Sequence, residues 1–173
     1  MKYKNLCLVA LFAALICVLS PLSIPIGAVP LSLATLSVYI TSACLGKKGT
    51  LSVLVFLLLG AIGLPVFSSF QGGFSVITGL TGGYILGYVP CAFVTGFASD
   101  RWQRKPLPLL LSMLIGTVIL YAVGTLQYML LSGNPLLPSL LACVVPFLPG
   151  DAVKILATLL MTAKIKNIRL FQS

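Results

Sequence analysis

Long apolar runs separated by short clusters of Lys and Arg constrain this chain more than any other feature. Only 8% of its 173 residues are charged and 59% are hydrophobic, whereas a soluble domain carries about 25% charged residues. A chain so poor in charge cannot cover its surface with polar groups, so membrane lipid must be its main solvent. Because a spanning helix needs about 20 residues, the length suits six helices with short loops.

The apolar runs predict an all-α fold, a bundle of six transmembrane helices in one domain, residues 1–173. Glycine and proline mark where the runs end. The predicted helices are residues 5–19, 31–45, 50–63, 80–99, 107–131 and 149–163. The first helix is expected to be retained, because no clear signal-peptide cleavage site follows it. Residues 20–30, with three prolines, are predicted as a turn-rich loop, and residues 139–147 as a short interfacial helix.

Residues 67–79 do not match a simple helix. The segment mixes serine, glycine and Gln71 with aromatic residues. It is apolar enough for membrane depth, where non-helical backbone is tolerated only if it is buried in protein or lines a cavity. The segment is therefore the first indication of a ligand site, either as a lid loop or as a short helix.

The basic residues follow a clear topological pattern. Ten of the eleven Lys and Arg residues lie at the two termini and in the second and fourth connections between the predicted helices. In a six-helix chain all four of these regions lie on one side of the membrane. The positive-inside rule then predicts that both termini are cytoplasmic. The same rule explains the net charge of +9 better than nucleic-acid binding does.

Asp151 and Lys154 lie apart from these clusters, at the start of the sixth predicted helix. Residues three apart share a helix face, and each charge costs about 2.5–3.5 kcal/mol near a bilayer centre. The pair is either a structural ion bridge or the polar part of a substrate pocket open to the outside, and both roles are compatible. A proton relay is a weaker alternative, because charges along a path across the membrane are missing.

Catalysis and metal binding are not indicated. The chain has no histidine, no second carboxylate near Asp151 in sequence, and no nucleophile paired with a base. Its five cysteines lack metal-ligand spacing and are expected to act as small apolar side chains. No metal or cofactor is therefore expected.

Two groups of small residues stand out. Ala10 and Ala14 have the spacing that lets membrane helices approach closely, either within the bundle or against another membrane subunit. Glycines at 79, 82, 83 and 87 precede and begin the fourth predicted helix. They favour either close helix packing or a backbone wall of the pocket, with Tyr84 as a flat surface for a ring. As a phosphate-binding loop the cluster lacks the lysine-serine ending.

These motifs together resemble the substrate-binding (S) subunit of energy-coupling-factor (ECF) transporters, of the biotin (BioY) type. The resemblance is carried by the segment Gly60-Ala61-Ile62-Gly63-Leu64-Pro65-Val66-Phe67, by Gly72-Gly73 and Gly79-Leu80-Thr81-Gly82-Gly83-Tyr84, and by Pro146-Phe147 followed by Asp151 and Lys154. It extends over essentially the whole chain.

The resemblance implies a multi-pass subunit of the bacterial cytoplasmic membrane that captures biotin at the outer face. It implies partners as well: a transmembrane coupling protein, docked through Ala10 and Ala14, and two cytoplasmic ATPases, because this chain has no phosphate-binding loop of its own. In the pocket, Asp151 would accept the ureido N–H groups and Lys154 would compensate Asp151 or meet a ligand oxygen. Gly82, Gly83 and Tyr84 would form walls around the ureido ring, and Gln71 would be part of a lid.

Three alternatives remain open at the level of sequence. The chain could serve another vitamin or a small carboxylate. A lipid-directed membrane enzyme is disfavoured by the sparse carboxylates. An assembly or scaffolding subunit would have no small-molecule site, and Asp151 would then pair only with Lys154.

Overall fold

The computed structural model describes residues 2–26 and 29–165. Its long helices confirm the six predicted from the apolar runs, and two shorter helices and one hairpin connect them. In chain order the elements are α1 (Lys2–Leu19), β1 (Ser23–Ile26), β2 (Val29–Ser32), α2 (Ala34–Leu45), α3 (Gly49–Ala61), α4 (Phe74–Thr78), α5 (Gly82–Arg101), α6 (Pro106–Ser132), α7 (Leu136–Cys143) and α8 (Leu148–Ile165).

Three stretches of the described residues are long and apolar enough to cross a membrane: 34–61, 106–132 and 136–164. The first consists of two helices, because the chain turns back between α2 and α3. Gly46 has a φ of +62° at this turn. A Cβ at Gly49 would lie 2.8 Å from the Cα of Ser42, an approach that a continuous helix does not allow at a separation of seven residues.

The segment between α1 and α2 differs from the predicted loop. It forms an antiparallel hairpin in which Ser23 faces Ser32 and Pro25 faces Pro30. Proline lacks a backbone donor and is usually a sign against strand structure. A two-stranded ribbon tolerates proline, because each strand has one free edge, where backbone groups do not bond to another strand.

The segment over 67–79 contains a tight turn followed by a short helix. Ser68–Phe70 is a tight 3-10 turn, and Phe74–Thr78 forms the short helix α4. The side chain of Phe67 is buried against Phe56 in an edge-to-face contact with ring centroids 5.5 Å apart. This aromatic anchor holds the segment on the end of α3.

The cationic connections lie together at one end of the bundle. The backbone N–H of Lys47, after α2, donates to the carboxylate of Asp100, near the end of α5, at 2.9 Å. Arg104 donates to the last carbonyl groups of α2, at Ala43 (3.1 Å) and Cys44 (2.7 Å). A cation at a helix C-terminus also complements the helix dipole.

The basic residues at the N-terminus lie at the same end of the bundle. The Ser52 hydroxyl near the start of α3 donates to the carbonyl of Val9, so the N-terminal half of α1 lies toward the cationic end. Lys166 and Arg169 of the predicted C-terminal cluster lie outside the described residues. The cytoplasmic position of this end remains a prediction.

Helices α5 and α6 pack closely through glycine. At Gly83 a Cβ would lie 2.6 Å from the carbonyl oxygen of Val123 and 2.9 Å from the Cα of Gly124. Backbone atoms of a neighbouring helix cannot move away as a flexible side chain can. The absence of a side chain at Gly83 therefore sets the distance between these helices.

We expect Gly83→Ala to destabilise the protein by about 1–3 kcal/mol, because the added methyl group overpacks the α5–α6 contact. The measurement is thermal unfolding of the purified protein in detergent. Gly150→Ala is the matched control, since its methyl group would meet only the side-chain tip of Leu31, at 3.3 Å. Equal melting temperatures for the two variants would contradict this account of the packing.

Candidate functional site

A cavity of about 250 Å³ opens at the end of the bundle away from the cationic cluster. Its walls come from α2, α5, α6 and α8, the hairpin and the segment before α4. The lining residues are Pro30, Leu31, Ser32, Thr35, Phe67, Ser68, Ser69, Gln71, Val76, Thr81, Tyr84, Ile85, Tyr88, Leu120, Tyr121, Phe147, Asp151 and Lys154. Its size is just below the about 300–1,000 Å³ typical of small-molecule sites.

Asp151 and Lys154 lie buried in the cavity wall, only 5% and 8% exposed. The ammonium Nζ of Lys154 donates to Oδ1 of Asp151 at 2.9 Å. It also donates to the hydroxyl of Thr35 at 2.7 Å. A buried charge is tolerated when it is paired and hydrogen-bonded, and both conditions are met here.

The second oxygen of the Asp151 carboxylate has its own donor. The hydroxyl of Tyr121 on α6 donates to Oδ2 at 2.6 Å, and Thr35 on α2 lies 3.4 Å from Oδ1. The carboxylate is thus held by groups from α2, α6 and α8. Each carboxylate oxygen accepts more than one hydrogen bond, so Asp151 keeps capacity for a donor that enters the cavity.

Aromatic and aliphatic side chains form most of the remaining wall. Tyr84, Tyr88, Leu120 and Phe147 are buried and belong to the main hydrophobic core. The hydroxyl of Tyr84 donates to the carbonyl of Cys143 at 3.2 Å, which fixes the ring between α5 and the end of α7. The cavity therefore offers flat apolar surfaces beside one group of polar atoms.

The mouth of the cavity is formed by the segment after α3 and the hairpin. The backbone N–H of Ser69 donates to the carbonyl of Pro21 and to the hydroxyl of Ser23. Ser69 itself has a φ of 59°, the left-handed conformation of a tight turn. Gln71 follows this turn, is exposed and lines the cavity, and its role in a lid stays a prediction.

The structure separates the residues that the sequence grouped as ring walls. Tyr84 lines the cavity, whereas Gly82 and Gly83 do not appear among its lining residues. A Cβ at Gly82 would collide with the carbonyl of Ile77, and Gly83 faces α6. Both glycines serve close packing, the other role that the sequence left open. Ala10 and Ala14 lie far from the cavity, exposed on α1.

Thr35 and Tyr121 were not identified from the sequence. Threonine and tyrosine are common in apolar helices, and neither lies near Asp151 along the chain. The sequence gives only an indirect indication of them. Burying the Asp151 carboxylate is costly unless other groups donate hydrogen bonds to it, so donors from other helices are expected. The sequence does not say which helices supply them.

No cluster of three or more potential metal ligands occurs within residues 2–26 and 29–165. Asp151 is one of only two acidic residues in the whole sequence, and the other, Asp100, lies at the opposite end of the bundle. The arrangement suits recognition of a small polar group, because the carboxylate of Asp151 lies in the wall of a largely apolar cavity.

Comparisons with known proteins show which proteins this chain resembles. The chain is 38% identical to the biotin transporter BioY of Rhodobacter capsulatus, over 96% of this chain and 95% of that protein. It is 36% identical to the biotin transporter BioY of Thermotoga maritima, over 95% and 97% of the two chains.

A solved structure shares the fold. The 2.1 Å crystal structure of the S-component for biotin from an ECF-type ABC transporter superposes with a TM-score of 0.91 at 32% identity, covering 99% of this chain and 95% of that one. The model of the BioY family matches residues 1–170. On its sequence and its fold, this chain belongs to the BioY family.

Proposed function

We propose that this chain captures biotin in the cavity around Asp151 and Lys154 and delivers it inward as the S subunit of an ECF-type importer. The observation that carries the proposal is a buried carboxylate, already held by two helices besides its own, that lies in the wall of an otherwise largely apolar cavity. It is supported by membership of a family whose relatives are named biotin transporters.

The chemistry of biotin matches the two parts of the cavity. Its ureido ring has two N–H donors and a carbonyl acceptor. The N–H groups would donate to the Asp151 carboxylate, and the carbonyl would accept from Lys154 or Thr35. Hydrogen bonds to charged groups contribute about 1.5–3 kcal/mol each. The sulfur-containing ring and the valeryl tail would lie against Tyr84, Tyr88 and Leu120.

The ligand carboxylate would then point toward the mouth, where Ser68 and Gln71 provide polar groups. Closure of the segment after α3 over the ligand would exclude water from the ureido contacts. Exclusion of water strengthens electrostatic interactions inside a site. Gln71 would act as part of this lid.

Transport requires partners that this chain would dock through the exposed face of α1. Ala10 and Ala14 provide small side chains in the middle of that face, between the exposed Leu6 and Val18, which permits a close helix–helix contact there. The partners would be a transmembrane coupling protein and two cytoplasmic ATPases, since the energy for inward delivery must come from elsewhere. The cationic end of the bundle would face the cytoplasm.

We expect biotin to raise the melting temperature of the purified protein in detergent. A ligand at 100 times its dissociation constant stabilises the native state by about 2.7 kcal/mol. Other vitamins and small carboxylates, tested at the same concentration, should shift the melting temperature much less. A larger shift with one of them than with biotin would assign the cavity to that ligand.

Asp151→Asn should weaken biotin binding by about 10- to 100-fold, because the amide replaces a charged acceptor with a neutral group. The measurement is titration calorimetry in detergent. Asp100→Asn is the matched control, as it changes the other acidic residue, which bonds the backbone N–H of Lys47. Affinity equal to that of the unmodified protein in Asp151→Asn would remove the carboxylate from the site.

A double variant distinguishes ligand binding from a purely structural ion bridge. Asp151→Asn with Lys154→Met removes both charges, so no unpaired charge remains buried and the fold should hold. We expect a melting temperature near that of the unmodified protein together with lost biotin binding. If the pair were only a structural bridge, this double variant would still bind biotin.

A further inference from the structure

A second hollow lies on the opposite half of the bundle, between α5 and α6 on the outer surface. This groove has a volume of about 560 Å³. Its lining residues are Phe93, Val94, Phe97, Ala98, Trp102, Leu107, Pro108, Leu111, Ser112 and Ile115. The single hydroxyl among them, on Ser112, donates to the carbonyl of Leu109 in its own helix. The walls of the groove are therefore almost entirely apolar, with the indole of Trp102 at one end.

The length of the groove matches one leaflet of a bilayer. It extends along α5 from Phe93 to Trp102, the residue directly after that helix, and along α6 from Leu107 to Ile115. At about 1.5 Å per residue each wall is about 12–14 Å long, close to half of the about 30 Å hydrocarbon core. An acyl chain of one leaflet fits this span.

The groove ends among cations. The ammonium of Lys47 lies 4.6 Å from the centre of the Phe97 ring, which is part of the groove wall. Arg101 and Lys105 are exposed and flank Trp102 in the chain. The carboxylate of Asp100 is the one acidic group here, and it accepts from the backbone N–H of Lys47.

We propose that this groove binds an anionic phospholipid, with an acyl chain between α5 and α6 and the headgroup phosphate among Lys47, Arg101 and Lys105. Three features favour an anionic phospholipid. Cations lie at one end of the groove, and the walls are about as long as one leaflet. The indole of Trp102 lies between them, as is common for amphipathic rings at the membrane–water interface. Basic pockets between membrane helices bind anionic headgroups in the same way. This lipid site is separate from the ligand cavity and does not depend on the identity of the transported molecule.

Trp102 provides the measurement, because it is the only tryptophan in the sequence. The full chain is placed in nanodiscs that contain phosphatidylcholine and phosphatidylglycerol in fixed proportion, with bromine on the acyl chains of one lipid or the other. Bromine quenches indole fluorescence at short range, so the extent of quenching reports which lipid occupies the groove. We expect brominated phosphatidylglycerol to quench Trp102 with an apparent preference of about fivefold or more over brominated phosphatidylcholine.

Charge variants test whether the preference belongs to this site. Lys47→Gln with Arg101→Gln should reduce the preference to near one. Lys4→Gln with Lys164→Gln removes two exposed cations from α1 and α8, on the same side of the bundle, and should leave the preference unchanged. Equal quenching by the two lipids in the unmodified protein would overturn the proposal, as would equal losses in the two double variants.

Two further arms test the acyl chain. Ile115→Phe fills the groove without adding a tryptophan and should reduce quenching by brominated phosphatidylglycerol. Val118→Phe, at an exposed position of α6 outside the groove, should not. Soluble inorganic phosphate should fail to displace the lipid, and displacement by phosphate alone would show an anion site that needs no lipid tail.

Discussion

The ion pair between Asp151 and Lys154 is the interaction around which the ligand cavity of this structure is arranged. Two charges inside a membrane bundle are tolerated only with partners, and the partners come from different helices. Thr35 on α2 accepts from the Lys154 ammonium, and Tyr121 on α6 donates to the Asp151 carboxylate. The pair therefore brings polar groups of three helices together at one point, in the wall of the cavity.

The irregular backbone at the cavity end of the bundle is explained by the short length of two helices. Helices α2 and α3 have only 12 and 13 residues, about 18–20 Å in length, which is shorter than the hydrocarbon core. The hairpin and the segment around Phe67 continue the wall beyond these helices. Their backbone groups bond each other, as between the N–H of Phe67 and the carbonyl of Gln71, which reduces the cost of non-helical backbone at membrane depth.

The two ends of the molecule use charge in opposite ways. At the cationic end, Arg104 donates to the last carbonyl groups of α2, and Lys47, Arg101 and Lys105 are exposed, where solvent and lipid headgroups make their charge inexpensive. At the other end, Asp151 and Lys154 are buried and their charges balance each other. Their polar atoms can still bond a ligand. A groove for an acyl chain begins at the first end, and a cavity for a small ligand opens at the second.

The sequence by itself determined the number of long helices, the family and the two charged residues in the cavity wall. Hydrophobic runs and the cost of a buried charge are local properties that can be read along the chain. The tertiary structure alone decided which glycines pack and which side chains face the cavity. In the structure, Gly82 and Gly83 lie at close packing contacts rather than in the cavity wall. Thr35 and Tyr121 contact the charged pair, and the loop with three prolines forms a hairpin. Those outcomes depend on which helices become neighbours, because hydrogen bonds and close contacts join residues far apart in the chain.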